Sequence, residues 1–529
     1  NGVPIFCRGA CWTNCDIVSL RGTDEQLAHI LGLARDANMN MVRVGGTMVY
    51  EDSRFHDRCD DLGIMVWQDF MYANMDYPAG DAGFIAGAAA EATAVIAHRR
   101  RFASTAVWCG GSEVEQQAAM LGLPEDHWTN ALFGEVLPSL CATSGGGATY
   151  ARNSPTGGPL PFNVNTGVSH YYGVGAYLRP LDDARRAGVR FTSETLGFAN
   201  VPEAATLEAL LRPGEIPPHH PRWKSRVPRD TGAGWDFDDV RDHYLHLLFG
   251  VDPARLRYAD VERYLALSRV VTGEVMARTF GEWRSGPTCW GGLVWFLQDL
   301  WTGAGWGVID ATGRPKAAWS YLRRAFAPVS VVLTNEGLNG VDAHVINDTA
   351  TTLDAELRFA VYRDGAVQVA EGSRAITIAA HARLSVSGDA LLGHFTDLTG
   401  AYRFGPPGHD LVTAELLNRA DRSPLSHDML LPHGLPSSRS PDPVLRGRVL
   451  ELGDDGATIE LASERLAFGV SIDAGRWEPV DNYVHVLPFG RAAIQLRGAP
   501  VERPALVEAV SLNGGRCRIK LALATDAPG

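Results

Sequence analysis

From residue 1 to about 328 the chain alternates short apolar, β-branched runs with segments of helical period, the pattern of a mainly parallel sheet with intervening helices. The first run, Ile5 to Trp12, precedes an amphipathic helix over Asp24 to Ala37, with Thr23 or Asp24 as its cap. Met41 to Val44 follows, then a helix around Arg54 to Leu62 and the apolar run Ile64 to Trp67, which leads into Gln68-Asp69-Phe70. A helix over Glu91 to Phe102 feeds a strand at Ala106 to Cys109. Further strands fall at Ala148 to Arg152, Gly167 to Tyr171, Val189 to Ser193 and Gly292 to Leu297. Eight strands with helices between them predict a (β/α)8 TIM barrel over residues 1–328, closed by a helix from Lys316 to Phe326.

Beyond Pro328 the pattern changes to short alternating runs such as Val329 to Leu333, Asp342 to Ile346 and Leu357 to Tyr362, separated by turn residues. That is β-sandwich patterning. A Pro/Ser-rich break at Leu435 to Val444 separates a second all-β unit. The fold class is thus multidomain, α/β plus all-β: a barrel (1–328) followed by two immunoglobulin-like β-sandwiches (329–440 and 446–529). Residues 204–238, rich in Pro, His and Arg with Trp223 and Trp235, read as a long loop on the barrel's active face, serving as a substrate-facing lid.

Composition narrows the partners. With 529 residues, 45% hydrophobic and 21% charged, the chain is an ordinary globular protein of several domains. A net charge of −13 and the lack of a Lys/Arg stripe argue against nucleic acid. No apolar run is long enough to span a membrane. Eight cysteines, thinly spread and several of them inside predicted elements, read as free thiols, which suits a reducing, cytoplasmic setting. Cys7, Cys11 and Cys15 are evenly spaced, but no second Cys/His group accompanies them, so no metal is expected. Asn1-Gly2 is a hairpin-turn dipeptide, so the chain reads as beginning inside a domain.

The chemistry centres on AVWCGGSEVEQQ, Ala106 to Gln117, where a strand-like run ends in two glycines and delivers Glu113. Val189 to Ser193 has the same design and delivers Glu194. Taken alone, a glutamate at a strand end is more often a surface or ion-pairing residue. Two, on the fourth and seventh strands of one barrel, are aimed at one central pocket, and paired carboxylates are the minimum equipment for cleaving a glycosidic bond. No cofactor is called for.

The resemblance then becomes specific. Met41-Val42-Arg43-Val44-Gly45-Gly46, Tyr50-Glu51-Asp52, Gly63 to Met71, Trp108-Cys109-Gly110 with Glu113, and Ser193-Glu194 with Gly197-Phe198 are similar to β-mannosidases of glycoside hydrolase family 2. Trp295 to Trp301, Gly313-Arg314-Pro315-Lys316-Ala317, Arg323 to Pro328 and Asp481-Asn482-Tyr483 with Leu487-Pro488 continue the likeness. The resemblance implies a retaining exo-acting glycosidase that releases a terminal non-reducing sugar, with Glu113 as acid/base and Glu194 as nucleophile. It further implies Arg43 beside Glu194, Tyr171 or Tyr172 donating to the nucleophile, and His170, Asp69 and Ser112 around the sugar. Trp295 would form the apolar floor under the sugar, with Trp12 and Trp301 as weaker candidates.

The departures concern the sugar. Ser112 stands where the family has an Asn for the 2-hydroxyl, Gly45 replaces a Trp, and Tyr172 and Gly175 occupy tryptophan positions. Mannose is therefore one expectation, and the same mechanism on another β-pyranoside, or on a furanoside such as a β-galactofuranoside or α-L-arabinofuranoside, is the alternative. A catalytically idle carbohydrate-binding subunit is an alternative of another class. The family's jelly-roll and immunoglobulin-like domains before the barrel have no counterpart here, which implies an N-terminal fragment or partner chain supplying them; a homo-oligomer is also open.

Overall fold

The computed structural model describes residues 2–212, 214–215, 217–437, 443–498 and 506–521. Asn1 of the turn dipeptide and the centre of the Leu435–Val444 break lie outside these residues. Two compact units emerge, one of residues 1–241 and 275–327, the other of residues 242–274 and 328–529.

The first unit is built on eight parallel strands: β1 (Cys7–Cys11), β2 (Met41–Val44), β3 (Met65–Asp69), β4 (Thr105–Cys109), β5 (Thr149–Ala151), β6 (Ser169–Tyr171), β7 (Thr192–Thr195) and β8 (Gly291–Val294). Their order, β5-β4-β3-β2-β1-β8-β7-β6, curls the sheet into a TIM barrel. At the β5–β6 seam, Thr156 bridges Val168, and the Ser154 hydroxyl lies 2.8 Å from His170 Nε2. Strands β2 and β7 are buried along their whole length, so Arg43 and Glu194 are interior despite their charge. Local chemistry sets the helix ends. Thr23 and Gln26 form a reciprocal capping box on Asp24–Asp36, and Asp52 caps Ser53–Leu62, which stops at Gly63 in the left-handed region.

Several boundaries differ from the sequence expectations. The helix before β4 runs Ala82–Arg99, because Asp81 Oδ1 accepts from the amides of Gly83 and Phe84 and starts it earlier. β7 begins at Thr192 and carries Glu194 within the strand rather than after it. The segment 204–238, expected as a loop, holds the helices Ala204–Leu210 and Pro221–Lys224 and the start of Phe237–Phe249. Its Trp223 is fully buried and donates to Asp238, which anchors the segment.

In the second unit, a three-stranded sheet (Val329–Asn335, Val341–Asn347, Ala382–Ser387) and a four-stranded one (Leu353–Arg363, Val367–Ile378, Leu411–Asn418, Pro424–Leu430) enclose a core containing Val345, Leu357, Phe359, Val361 and Leu416. A second pair of antiparallel sheets between Arg446 and Lys520 packs around Ile459, Leu461, Val470, Trp477 and Val507. These are the β-sandwiches that follow the barrel. No helix among the described residues is long and apolar enough to cross a membrane. All eight cysteines are free.

Candidate active site

Pairing continues past the ends of β3, β4 and β5 through bridges of Ser112 to Ala73 and to Ser154. This brings the residues after three strands to one level, and Glu113 follows at φ 56°, a left-handed conformation that side chains rarely adopt. It is held there by its amide, which donates to the Ser154 carbonyl at 2.7 Å, and it heads the helix Val114–Met120. The carboxylate accepts from Gln116 Nε2 at 2.8 Å and Gln117 Nε2 at 3.0 Å.

Glu194 sits deeper. Arg43 Nη1 donates to its Oε1 at 2.6 Å, and the Tyr172 hydroxyl donates to Oε2 at 3.0 Å. Arg43 is itself locked: Nη2 donates to Asp69 Oδ2 at 2.8 Å and to Ser112 Oγ at 3.1 Å. Asp69, fully buried, also accepts from Trp67 Nε1 and from the Gly46 amide. A Cβ at position 46 would stand 2.3 Å from the Tyr72 carbonyl, so only glycine allows that approach.

His170 connects the two carboxylates. Its Nδ1 lies 2.8 Å from Glu113 Oε1 and 3.4 Å from Glu194 Oε2. Carboxylates only accept, so Nδ1 carries a proton there. Nε2 faces the Ser154 hydroxyl, which in turn lies 2.6 Å from Ser193 Oγ. One oxygen of Glu113, one ring nitrogen of His170 and one oxygen of Glu194 all fall within 4.8 Å of one another. These are also donor types that suit a divalent cation, but both ring nitrogens are already engaged, and ligation would break the bond to Glu113.

Burial pushes Glu113 up, but the hydrogen bond and charge of His170, with the amides of Gln117 and Gln116, more than offset it and hold the group below its usual range. Burial would weaken Arg43's charge; Asp69 and Glu194 reverse that and raise it well above its ordinary value. The Tyr172 hydroxyl is pushed up by burial and by the adjacent Glu194, so it stays a donor.

Among the residues singled out from sequence, Glu113, Glu194, Arg43, Ser112, Asp69, His170 and Tyr172 come together in one hydrogen-bonded cluster. Tyr171 does not join it: its hydroxyl donates to Asp183 at 2.8 Å and its ring packs on Trp283. Trp12 is buried beside Phe55 with its indole N–H on Glu51, which leaves no open face. Trp295 follows β8 and is half-buried against Phe296 and Trp306. Trp301 is half exposed under the Arg226 guanidinium. The sequence reading did not single out Ser154, Ser193, Gln116, Gln117 or Trp306. A lone serine carries no signal of its own, whereas Gln116 and Gln117 lie at helical spacing from Glu113, in the helix that it heads.

The chain is a (β/α)8 barrel protein with a paired-carboxylate pocket. More particularly, its sequence is similar to those of β-mannosidases. It is 26% identical to β-mannosidase B of Thermothelomyces thermophilus over 543 residues, covering 94% of this chain and 61% of that protein. To β-mannosidase B of Aspergillus fumigatus it is 28% identical over 359 residues, 64% of this chain and 41% of that one. Among solved structures, the β-D-mannosidase of Dictyoglomus thermophilum matches with a TM-score of 0.83 at 24% identity, over 94% of this chain and 59% of that chain. The exo-chitosanase of Amycolatopsis orientalis shares the fold with a TM-score of 0.72 at 16% identity, over 98% of this chain and 64% of that one. No protein-family model matches the chain. The chain thus spans between about two fifths and three fifths of the length of these β-mannosidase relatives.

Proposed function

We propose that the protein is a retaining, exo-acting glycoside hydrolase that releases a terminal β-linked sugar by double displacement. The observation that carries this reading is the closeness of Glu113 and Glu194: an oxygen of each lies within 4.8 Å of one of the other, which fits the short spacing of retaining pairs, roughly 5 Å between carboxyl groups, better than the wider spacing of inverting ones. Glu194, held by Arg43 and Tyr172, attacks the anomeric carbon, and the C–O bond to the leaving group breaks as Glu113, in the fraction of molecules where it carries a proton, gives that proton to the departing oxygen; because Glu113 is held below its usual range, this fraction grows as pH falls. Forming the glycosyl ester removes the charge on Glu194. With its negative neighbour neutralised, Glu113 more readily stays ionised, which suits its next task of taking a proton from the water that opens the ester. His170, bonded to Glu113 and within reach of Glu194, orients both carboxylates for these steps.

A terminal mannose is the first choice of sugar, supported by the likeness to the fungal β-mannosidases. A different glycone is favoured by one observation: Ser112 offers a single hydroxyl, already accepting from Arg43, where the family places an amide. A panel of 4-nitrophenyl pyranosides and furanosides of both anomers tests the reading. Release from the β-mannoside supports the first choice, release from another glycoside supports the second, and no release from any member contradicts the glycosidase reading.

A further inference from the structure

A second cavity lies on loops of the same barrel. It has a volume of about 520 Å3 and is lined by Leu210, Arg222, Arg226, Trp301, Thr302 and neighbouring apolar residues. Its walls come from the segment after β7, the strand that carries Glu194, and from the segment after β8, which carries Trp295. The walls are fixed to one another: the Thr206 hydroxyl donates to Asp310 at 2.6 Å, and Asn200 Nδ2 donates to the Trp306 carbonyl at 2.8 Å.

The charge of this cavity is opposite to that of the protein. The chain carries a net charge of −13, yet residues 212–229 hold Arg212, Arg222, Lys224, Arg226 and Arg229 against the single acid Glu215. Lys224 is taken up by Asp236 at 2.6 Å. Among the described residues, the two arginines that line the cavity have no such partner. The Arg222 guanidinium donates, among the described residues, to the Leu210 carbonyl at 3.3 Å and feels Glu215 from a distance. Arg226 stacks 4.8 Å above the Trp301 ring, and among the described residues no acidic side chain lines the cavity. The Arg226 Cβ lies against Gly303, where an added Cβ would come within 2.5 Å of it. Trp301 is 51% exposed despite that cover.

Two guanidinium groups without acid partners favour an oxyanion, which they can grip in fork geometry. A half-exposed indole and a threonine hydroxyl beside them suit the C–H face and hydroxyls of a sugar ring. We propose that this cavity binds a sugar residue carrying an oxyanion, either the carboxylate of a uronic acid or the phosphate of a sugar ester, separately from the pocket of Glu113 and Glu194. The anion preference rests on the cavity alone, and the sugar part rests on the glycosidase reading.

Isothermal titration of the full chain with D-glucuronic acid and with mannose 6-phosphate, against methyl mannoside and inorganic phosphate, tests this. At least one anionic sugar is expected to bind roughly tenfold more tightly than both controls, the size of one charge-assisted contact, and the tighter of the two names the source of the anion. The R222Q/R226Q double variant should lose that preference while hydrolysing 4-nitrophenyl glycosides like wild type; R226Q alone should lose part of it. Equal binding of neutral and anionic sugars, binding of inorganic phosphate as tight as that of the sugars, or full retention in the double variant would overturn the proposal. Anion-selective binding in a protein that hydrolyses no glycoside would leave the cavity standing and remove the glycosidase reading.

Discussion

Arg43 Nη1 stands 2.6 Å from Glu194 Oε1, with the arginine side chain fully buried and the glutamate side chain 8% exposed. Asp69 completes the arrangement from the other edge of the guanidinium, 2.8 Å from Nη2. One cation thus neutralises two interior carboxylates, and its removal leaves both uncompensated. Arg43→Met is expected to cost about 3–5 kcal/mol of stability, the penalty for breaking a buried pair. Arg43→Lys keeps the charge but not the fork, so the protein should fold while kcat/KM falls roughly a hundredfold. Denaturant unfolding and steady-state kinetics of the two variants check this.

Neighbouring tyrosines separate structure from chemistry. Tyr172 donates to Glu194, whereas Tyr171 donates to Asp183 and packs on Trp283. Tyr172→Phe should lower kcat/KM by about tenfold or more with little change in stability, and Tyr171→Phe should cost about 1 kcal/mol of stability with kinetics intact. Equal kinetic losses in both variants would contradict the assignment.

The third expectation is a pH effect. His170 and the amides of Gln116 and Gln117 hold Glu113 below the usual carboxylate range against the pull of burial. In His170→Asn burial acts with less opposition, so Glu113 keeps its proton to higher pH and the alkaline limb of kcat/KM moves upward. The stability sign follows from the same shift. A carboxylate depressed in the folded state stabilises the protein above its unfolded pKa, near 4.3, and loses that contribution as pH falls through the folded value. His170→Asn should therefore be less stable than wild type at neutral pH, with the gap closing in acid. Ser154→Ala, which removes the hydroxyl facing His170 Nε2, should shift the profile in the same direction by less.

What the sequence made legible was the part carried by periodicity and strand ends. The eight short runs became eight parallel strands, and Glu113, Glu194, Arg43, His170 and Tyr172 converged because a barrel aims its strand ends inward. Boundaries shifted where side-chain caps decide them, as Asp81 does for the helix before β4. The helix over Val261–Ser285 went unassigned because its apolar positions surround the helix rather than forming one stripe. Ser154 was illegible for another reason. Its hydroxyl meets His170 and Ser193 while its carbonyl holds Glu113, contacts made across 16, 39 and 41 residues that no local pattern announces. Trp12 and Tyr171 sit at plausible strand-end positions, yet their polar atoms are bonded to Glu51 and Asp183, outside the carboxylate cluster.

Removal of divalent cations is the fourth test. The donor atoms of Glu113, His170 and Glu194 lie close enough to ligate an ion, but His170 commits Nδ1 to Glu113 and Nε2 to Ser154. Turnover is expected to be unchanged after exhaustive chelation. Loss with EDTA and recovery with one added metal would replace the double displacement with a metal-assisted hydrolysis.

The most direct test is to trap the covalent intermediate. A 2-deoxy-2-fluoro glycoside of whichever sugar the aryl glycoside panel identifies, carrying a good leaving group, slows the opening of the glycosyl ester, and peptide mass spectrometry then locates the label. The account predicts one sugar per chain, attached to Glu194, with no label in Glu194→Gln and slow accumulation in Glu113→Ala. A label on any other residue, or complete absence of label from a protein whose product forms with inverted configuration, would contradict it.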